Sequence, residues 1–264
     1  LTYHQAAMQY TYLARGDRAA DPDAGAFTAR VGHWFLVDAV QVRGPARGAI
    51  VVVGDSITDG VGGQPGAHTR WPDFLARILV RRYGPAAPAV VNAGISGNRV
   101  LNGSVCFGED LLSRLERDVF GHPGVRAVVL LQGVNDLGFS QKPDAGCARP
   151  NTGVTAEQLI AAYRRVIERA RAGGVRIYGG TIPPVQGFGY WNAAAETKRR
   201  QVNEWIRTSG AFDGVIDFAA ALAYPGRPEL LDPRYDSGDH IHPNAYGYQV
   251  MAETAARVLA GSAF

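Results

Sequence analysis

The chain has 264 residues, of which 46% are hydrophobic and 19% charged, with 33 Gly, 15 Pro and two Cys. That composition supports a large buried core and excludes a disordered chain, a disulfide-framework mini-protein and a cysteine-based zinc ribbon. The net charge of +3 is mild and its cations are almost all arginine. No apolar run of about 18 residues and no repeat of about 20–50 residues is present, which excludes a membrane-spanning helix and a solenoid.

The chain begins at Leu1, with no positively charged stretch leading into an apolar segment, so no signal peptide is expected within it. Residues 1–48 are turn-rich at Gly16-Asp17, Asp21-Pro22-Asp23 and Gly25, and then offer a β-like run from His33 to Arg43 that Gly44-Pro45 breaks. They read as a β-rich N-terminal segment, the remainder of a domain truncated upstream, ahead of a main domain over 49–264. From Ala49 the pattern changes. Apolar runs at 49–53, 89–92, 127–131, 175–178 and, more weakly, 214–217 alternate with longer amphipathic stretches. Continuous apolar runs predict strands buried on both faces, as in a parallel sheet covered by helices.

The clearest helix is predicted over 156–172, where Leu159, Ile160, Tyr163, Val166, Ile167 and Ala170 form one apolar stripe. Thr155 and Gln158 fit a capping box, and Gly173-Gly174 supplies the stop. Further helices are predicted near 70–83, 109–119, 193–208 and 244–260. The fold class is therefore α/β, a three-layer α/β/α sandwich with a central parallel sheet. Such folds place their sites beyond the carboxyl ends of the strands. Arg164, Arg165, Arg169, Arg171 and Arg176 cluster on or near the 156–172 helix and read as a solvated face, not a nucleic-acid patch. Cys106 and Cys147 are expected to pair, with free thiols as the alternative; the closed loop would contribute about 4 kcal/mol and points to an extracytoplasmic home.

Polar residues concentrate at the predicted strand ends. Gly54-Asp55-Ser56-Ile57 follows the first strand, where a sharp turn exposes the Ser56 hydroxyl; a plain helix cap is the bland alternative. The lysine and glycine spacing of a phosphate loop is missing, as is the Gly-x-Ser-x-Gly elbow of another hydrolase fold. Asn92 to Arg99 follows the second strand and Gln132-Gly133-Val134-Asn135-Asp136 the third. A backbone N–H near Gly97 and the Asn135 amide are neutral donors suited to an oxyanion, although turn chemistry alone accounts for either loop. Asp239-His240-Ile241-His242-Pro243 lies near the C-terminus, and Pro243 would place His242 at a helix cap with Asp239 folded back to orient it. His240-Ile241-His242 offers two imidazoles to a metal, but no third ligand stands out. No metal or other cofactor is expected. His4, His33, His68 and His122 read as structural or surface residues. Phe139, Phe188, Tyr190 and Trp191 lie in loops and either line a pocket or cap the core.

Together, Gly54-Asp55-Ser56-Ile57, Gly94-Ile95-Ser96-Gly97-Asn98, Gly133-Val134-Asn135-Asp136 and Asp239-His240-Ile241-His242-Pro243 resemble the four motifs of the SGNH, or GDSL-type, hydrolase family, in order and over about residues 50–260. The resemblance implies a flavodoxin-like hydrolase domain over 49–264. It implies a Ser56 nucleophile, the remaining triad members Asp239 and His242, and an oxyanion hole of Ser56, Gly97 and Asn135. Ile57-Thr58 stands where the family name has Leu. The expected activity is hydrolysis of short-acyl, carbohydrate- or phenolic-linked carboxylic esters by a secreted monomer, with no nucleic-acid partner. A lipase or acyltransferase with the same triad, and a non-catalytic carbohydrate-binding protein on the same fold, are the alternatives. The absence of a long apolar lid segment disfavours a long-chain lipase.

Overall fold

The computed structural model describes residues 3–37, 39–142 and 146–261. The N-terminal segment holds four short strands, β1 (Tyr3–His4), β2 (Thr11–Leu13), β3 (Ala29–Val31) and β4 (Trp34–Phe35), paired antiparallel as β1–β4 and β2–β3. The main unit follows as β5 (Ala49–Gly54), α1 (Ser56–Asp59), α2 (Trp71–Tyr83), β6 (Ala89–Gly94), α3 (Leu111–Leu115), β7 (Val125–Leu131), α4 (Val134–Phe139), α5 (Ala156–Ala172), β8 (Arg176–Gly180), α6 (Ala193–Thr208), β9 (Gly214–Ile216) and α7 (Phe218–Leu222). A small hairpin of β10 (Ala223–Tyr224) and β11 (Arg227–Leu231) precedes the last helix, α8 (Ala245–Leu259).

Five strands pair in the order β6-β5-β7-β8-β9, all parallel. The chain leaves β5 towards β6 on one side and later continues from β7 to β8 on the other. Right-handed crossovers therefore put α2 and α5 on opposite faces. α8 returns to pack on α2, and α6 packs on α5, which completes three layers. The sheet is apolar because both faces are covered: Ile50 to Val53 and Ala127 to Val129 are each 0% exposed. Strand order reverses at β5, and Gly54 lies level with Gly94 of β6 and Leu131 of β7. Three strand ends thus open onto one crevice at the switch point, where ligands of such sheets bind.

α5 begins at the Thr155–Gln158 capping box and ends at Gly173-Gly174, as its sequence predicts. Three expectations need correction. The β-like run over 33–43 keeps only Trp34–Phe35 as strand, because β1 offers two residues to pair with and Val37, Val40 and Val42 stand 64%, 84% and 82% exposed; Asp38 lies outside the described residues. The helix expected at 109–119 starts at Leu111 and widens after Leu115 into a five-residue π turn through Phe120, with Gly121 N–H donating to Glu116 O. That turn sets the Asp118 carboxylate 3.3 Å from the guanidinium of buried Arg114. Pro243 does not open the last helix. It pairs as an extended bridge with Asp236, and Asn244 is the cap, its side chain accepting from Tyr246 and Gly247 N–H.

The N-terminal segment docks on the end of α1 and the loop after it. His4 Nε2 lies 2.9 Å from Asp59 Oδ2, Gln9 Nε2 2.8 Å from His68 Nδ1, and Arg70 donates to Ala7 O. On α5 the arginine face is taken up locally: Arg169 pairs with Glu116 and Arg171 donates to Ala211 O.

Cys106 and Cys147 form a disulfide, with Cα atoms 5.6 Å apart and a sequence separation of 41. Both cysteines are exposed. Closing a loop of that size removes conformational entropy from the unfolded chain. Reduction is expected to lower stability by about 3–4 kcal/mol, read as a drop in the urea midpoint with dithiothreitol. An unchanged midpoint would show that the crosslink contributes nothing. Among the described residues, no helix is long and apolar enough to cross a membrane.

Candidate active site

β5 ends at Gly54, where a Cβ would stand 2.3 Å from both Leu131 O and Thr58 Oγ1, so only glycine lets the chain turn there. Asp55 caps α1, its Oδ1 accepting from Ile57 N–H at 3.1 Å. Ser56 is therefore the first residue of α1 and not its cap. Its N–H has no intrahelical acceptor, and its side chain points to the carboxyl end of the sheet. Ser56 Oγ lies 2.8 Å from His242 Nε2.

The Asp-x-x-His spacing closes on itself. Asp239 Oδ1 accepts from Ile241 N–H at 3.1 Å and His242 N–H at 2.8 Å, and its Oδ2 lies 2.5 Å from His242 Nδ1. With a carboxylate at Nδ1, the ring proton sits on Nδ1 and leaves the Nε2 lone pair to accept the Ser56 hydroxyl proton. Partial burial alone would raise the Asp239 pKa; hydrogen bonds from the His242 ring and backbone, and the charge of His242, outweigh it and hold the carboxylate well below the usual range. Ser56, His242 and Asp239 thus form one unbroken relay.

Gly97 and Asn135 meet through Asn98. Gly97 has φ +74, and a Cβ there would fall 2.1 Å from the Phe107 ring. Among the described residues its N–H donates to no partner. Asn135 Nδ2 donates to Asn98 O at 3.1 Å, which occupies one of its two hydrogens. The neighbouring Asp136 carboxylate accepts from Val100 N–H at 2.8 Å and Leu101 N–H at 3.0 Å. α4 therefore holds the loop after β6 in place from two adjacent residues.

Sequence reasoning missed the group that locks this arrangement. Arg114 is 0% exposed, and its guanidinium donates to Gly54 O (3.2 Å), Ala93 O (2.8 Å) and Asn98 Oδ1 (3.1 Å). One buried cation thereby ties the ends of β5 and β6 to the Gly97 loop. Gln132 Nε2 adds a 2.7 Å bond to the same Asn98 Oδ1. In the sequence Arg114 is one arginine on an amphipathic helix, and no local signal separates it from a solvated one.

The carboxyls beneath the crevice resist charge. Burial raises the Asp55 pKa to about 7, against hydrogen bonds from Ile57 and Gly133 N–H and the charge of His242, while nearby Asp136 adds to the rise. Burial raises Asp136 to about 6 against the Val100 and Leu101 N–H groups and Arg99. Near neutral pH Asp55 is then partly protonated and Asp136 still mostly ionised, so the negative charge beneath Ser56 is reduced but not removed.

Aromatic rings line the rim. Phe107 stacks on Phe139 (centroids 5.6 Å), Phe139 on Tyr190 (5.1 Å), and Phe188 meets Tyr190 edge-on (4.4 Å). Trp191 lies beside Tyr190 over Gly138, and its Nε1 donates to Glu196 Oε2 at 3.3 Å. His240 does not share a partner with His242: its Nδ1 lies 2.7 Å from Asp236 Oδ2. Among the described residues no group of three His, Cys, Asp or Glu side chains is arranged to hold a metal ion. His33, His68 and His122 bond to Gln5 O, Gln9 and Asp118 O, while His4 bonds to Asp59, whose Oδ2 also accepts from Ser96 N–H beside Gly97.

The model of the GDSL-like lipase/acylhydrolase family matches residues 52–250. No curated protein matches the chain. Among solved structures, a variant of an acetyl xylan esterase from Geobacillus stearothermophilus superposes with TM-score 0.61 at 22% identity, over 80% of this chain and 94% of that one. A GDSL-like lipase from Bacteroides thetaiotaomicron gives TM-score 0.58 at 19% identity, over 80% and 87%. An alpha/beta hydrolase from the metagenome of Lake Arreo gives 0.59 at 23%, over 80% and 94%. At these identities the likeness is one of fold. The match over 52–250 shows the family, and the chain belongs to the GDSL-like lipase/acylhydrolase family.

Proposed function

We propose that this family member is a serine carboxylic ester hydrolase that works through an acyl-enzyme on Ser56. The observation that carries the reading is the continuous relay from Ser56 Oγ through His242 to Asp239. Ser56 gives its proton to His242 Nε2 as Oγ attacks the ester carbonyl. The carbonyl oxygen becomes an oxyanion, held by the Ser56 and Gly97 N–H groups and the free Asn135 Nδ2 hydrogen. His242 then protonates the leaving alcohol. Water attacks the acyl-enzyme by the reverse route, releasing the acid and restoring Ser56. Asp239 keeps the ring oriented and stabilises its cation.

The substrates in this reading are short-acyl esters of carbohydrates or phenols. The loops bordering the crevice, 95–109 and 183–191, present stacked rings and glycines, not an extended aliphatic lid. All the proposed site residues come from one chain, so a monomer suffices. An exposed disulfide fits an oxidising, extracytoplasmic setting. Residues 49–264 form the hydrolase unit, with 1–48 as a β-rich appendage resting on the end of α1 and the loop after it.

The test is hydrolysis of p-nitrophenyl esters across acyl lengths, before and after treatment with an organophosphonate fluoride. Rates should peak at short acyls and vanish on phosphonylation of Ser56. A maximum at long acyls would make the enzyme a lipase, and turnover that survives full phosphonylation would overturn the reading.

Asn135→Ala should lower kcat about 10²–10³-fold with KM little changed, because its free hydrogen acts on the oxyanion and not on the ground-state ester. A kcat within about threefold of wild type would remove Asn135 from the oxyanion hole.

A further inference from the structure

The proposed chemistry leaves His240, which packs on the loop after β8, without a task. Its backbone sits at φ +65, a left-handed conformation that costs a non-glycine residue energy unless its surroundings hold it there. Asp236 holds it. Asp236 Oδ1 accepts from Gly238 N–H at 2.8 Å and His240 N–H at 3.1 Å, and Oδ2 takes the ring at Nδ1. With the proton fixed on Nδ1, Nε2 presents a lone pair, and the side chain is 56% exposed.

The other face of the ring meets the loop after β8. Gly187 has φ +104, and a Cβ there would reach the imidazole at 3.2 Å. The next residue, Phe188, packs edge-on against Tyr190. Tyr190 lies over α4 at Gly138 and stacks on Phe139, four residues after Asn135. The rings therefore run from Phe188, the residue after Gly187, through Tyr190 and Phe139 to Phe107 over Gly97. His240 is also two residues from His242, the group that would protonate the leaving alcohol.

We infer that His240 recognises the alcohol half of the ester, accepting at Nε2 a hydrogen bond from a second hydroxyl of a polyol or sugar alcohol whose carbon skeleton lies against Phe188 and Tyr190. The inference rests on the serine-esterase reading and narrows its substrate class. A phenolic alcohol without a neighbouring hydroxyl has no donor for this lone pair, so the geometry favours the polyhydroxylated partner. The Asp236–His240 pair duplicates the orientation logic of Asp239–His242, a carboxylate fixing the tautomer, in the service of binding.

Glycerol monoacetate and propyl acetate test it, since their alcohols have the same three-carbon skeleton and differ only in hydroxyls. Wild type should favour the glycerol ester by about tenfold in kcat/KM, the effect of one well-placed hydrogen bond. His240→Gly removes the ring and accepts the left-handed backbone; His240→Asn also tolerates that backbone and serves as the second variant should the glycine loosen the loop. In His240→Gly the ratio of the two kcat/KM values should collapse towards one. A preserved ratio, or an equal fall on both esters, overturns the inference, because a structural role moves both rates together. Equal wild-type rates on the two esters also overturn it and leave the esterase reading standing. Absence of Ser56-dependent hydrolysis of p-nitrophenyl acetate is the separate result that would remove the esterase reading itself.

Discussion

Replacement of Ser56 by alanine is expected to lower kcat by about a millionfold while leaving the fold intact. The size follows from what is lost. Among the described residues no other hydroxyl stands at His242 Nε2, so the base has no proton to take and no covalent intermediate forms. What survives is the background from the oxyanion donors acting on water, about 10³–10⁴-fold over the uncatalysed rate. Substrate binding should change little, since Oγ contributes to the transition state and not to ground-state contacts. The backbone N–H of residue 56 remains in place, and Asp55 still caps the helix. A thermal midpoint within a few degrees of wild type would confirm that the fold is untouched. A variant that retained even one part in a hundred of the rate would place the nucleophile elsewhere.

Asp239→Asn is expected to cost about 10⁴ in kcat, and Asp239→Ala less. The asymmetry comes from the local hydrogen bonds. Oδ1 accepts from two backbone N–H groups, those of Ile241 and His242. An asparagine in this position must offer its carbonyl oxygen to those donors and so turns its NH₂ towards His242 Nδ1. The imidazole is then forced into the tautomer with its proton on Nε2, where it cannot accept from Ser56. Alanine leaves the tautomer free and loses only orientation and cation stabilisation. The comparison of kcat for the two variants checks this; asparagine as active as wild type would show that Asp239 does not set the tautomer. Asp239 is half-exposed, so its contribution is through hydrogen-bond geometry more than through an unscreened charge.

The central sheet was legible because burial on both faces leaves continuous apolar runs, and β5 and β7 carry them in full. α5 was legible to the residue, because Thr155, Gln158 and Gly173 each serve a backbone need that few other residues meet. The run 33–43 misled because its valines suggest a strand while the pairing a strand requires depends on a partner elsewhere, and β1 supplies two residues. Pro243 misled for a related reason: a proline before a helix suits both its first turn and an extended approach to the cap, and Asn244 decided between them. Of the proposed site, the bond between Asp239 and His242 was legible from their three-residue spacing, while the meeting of Ser56 with them was expected only from the four motifs taken together. Arg114 and the Phe107–Phe139–Tyr190 stack were not. Their partners come from β5, β6, α4 and the loops after β6 and β8, and only the fold brings them to one place. His240 lay between these cases, quoted for its spacing to His242 but given its partner, Asp236, only by the turn that sets its backbone at positive φ.

The most direct test of the account is to catch the acyl group on the enzyme. Rapid acid quench during turnover of p-nitrophenyl acetate, followed by intact-mass and peptide analysis, should show one acetyl group per chain, on Ser56, that disappears as substrate is exhausted. An acetyl group on another residue, or product formation without any acetylated chain in wild type and with equal speed in Ser56→Ala, would contradict it.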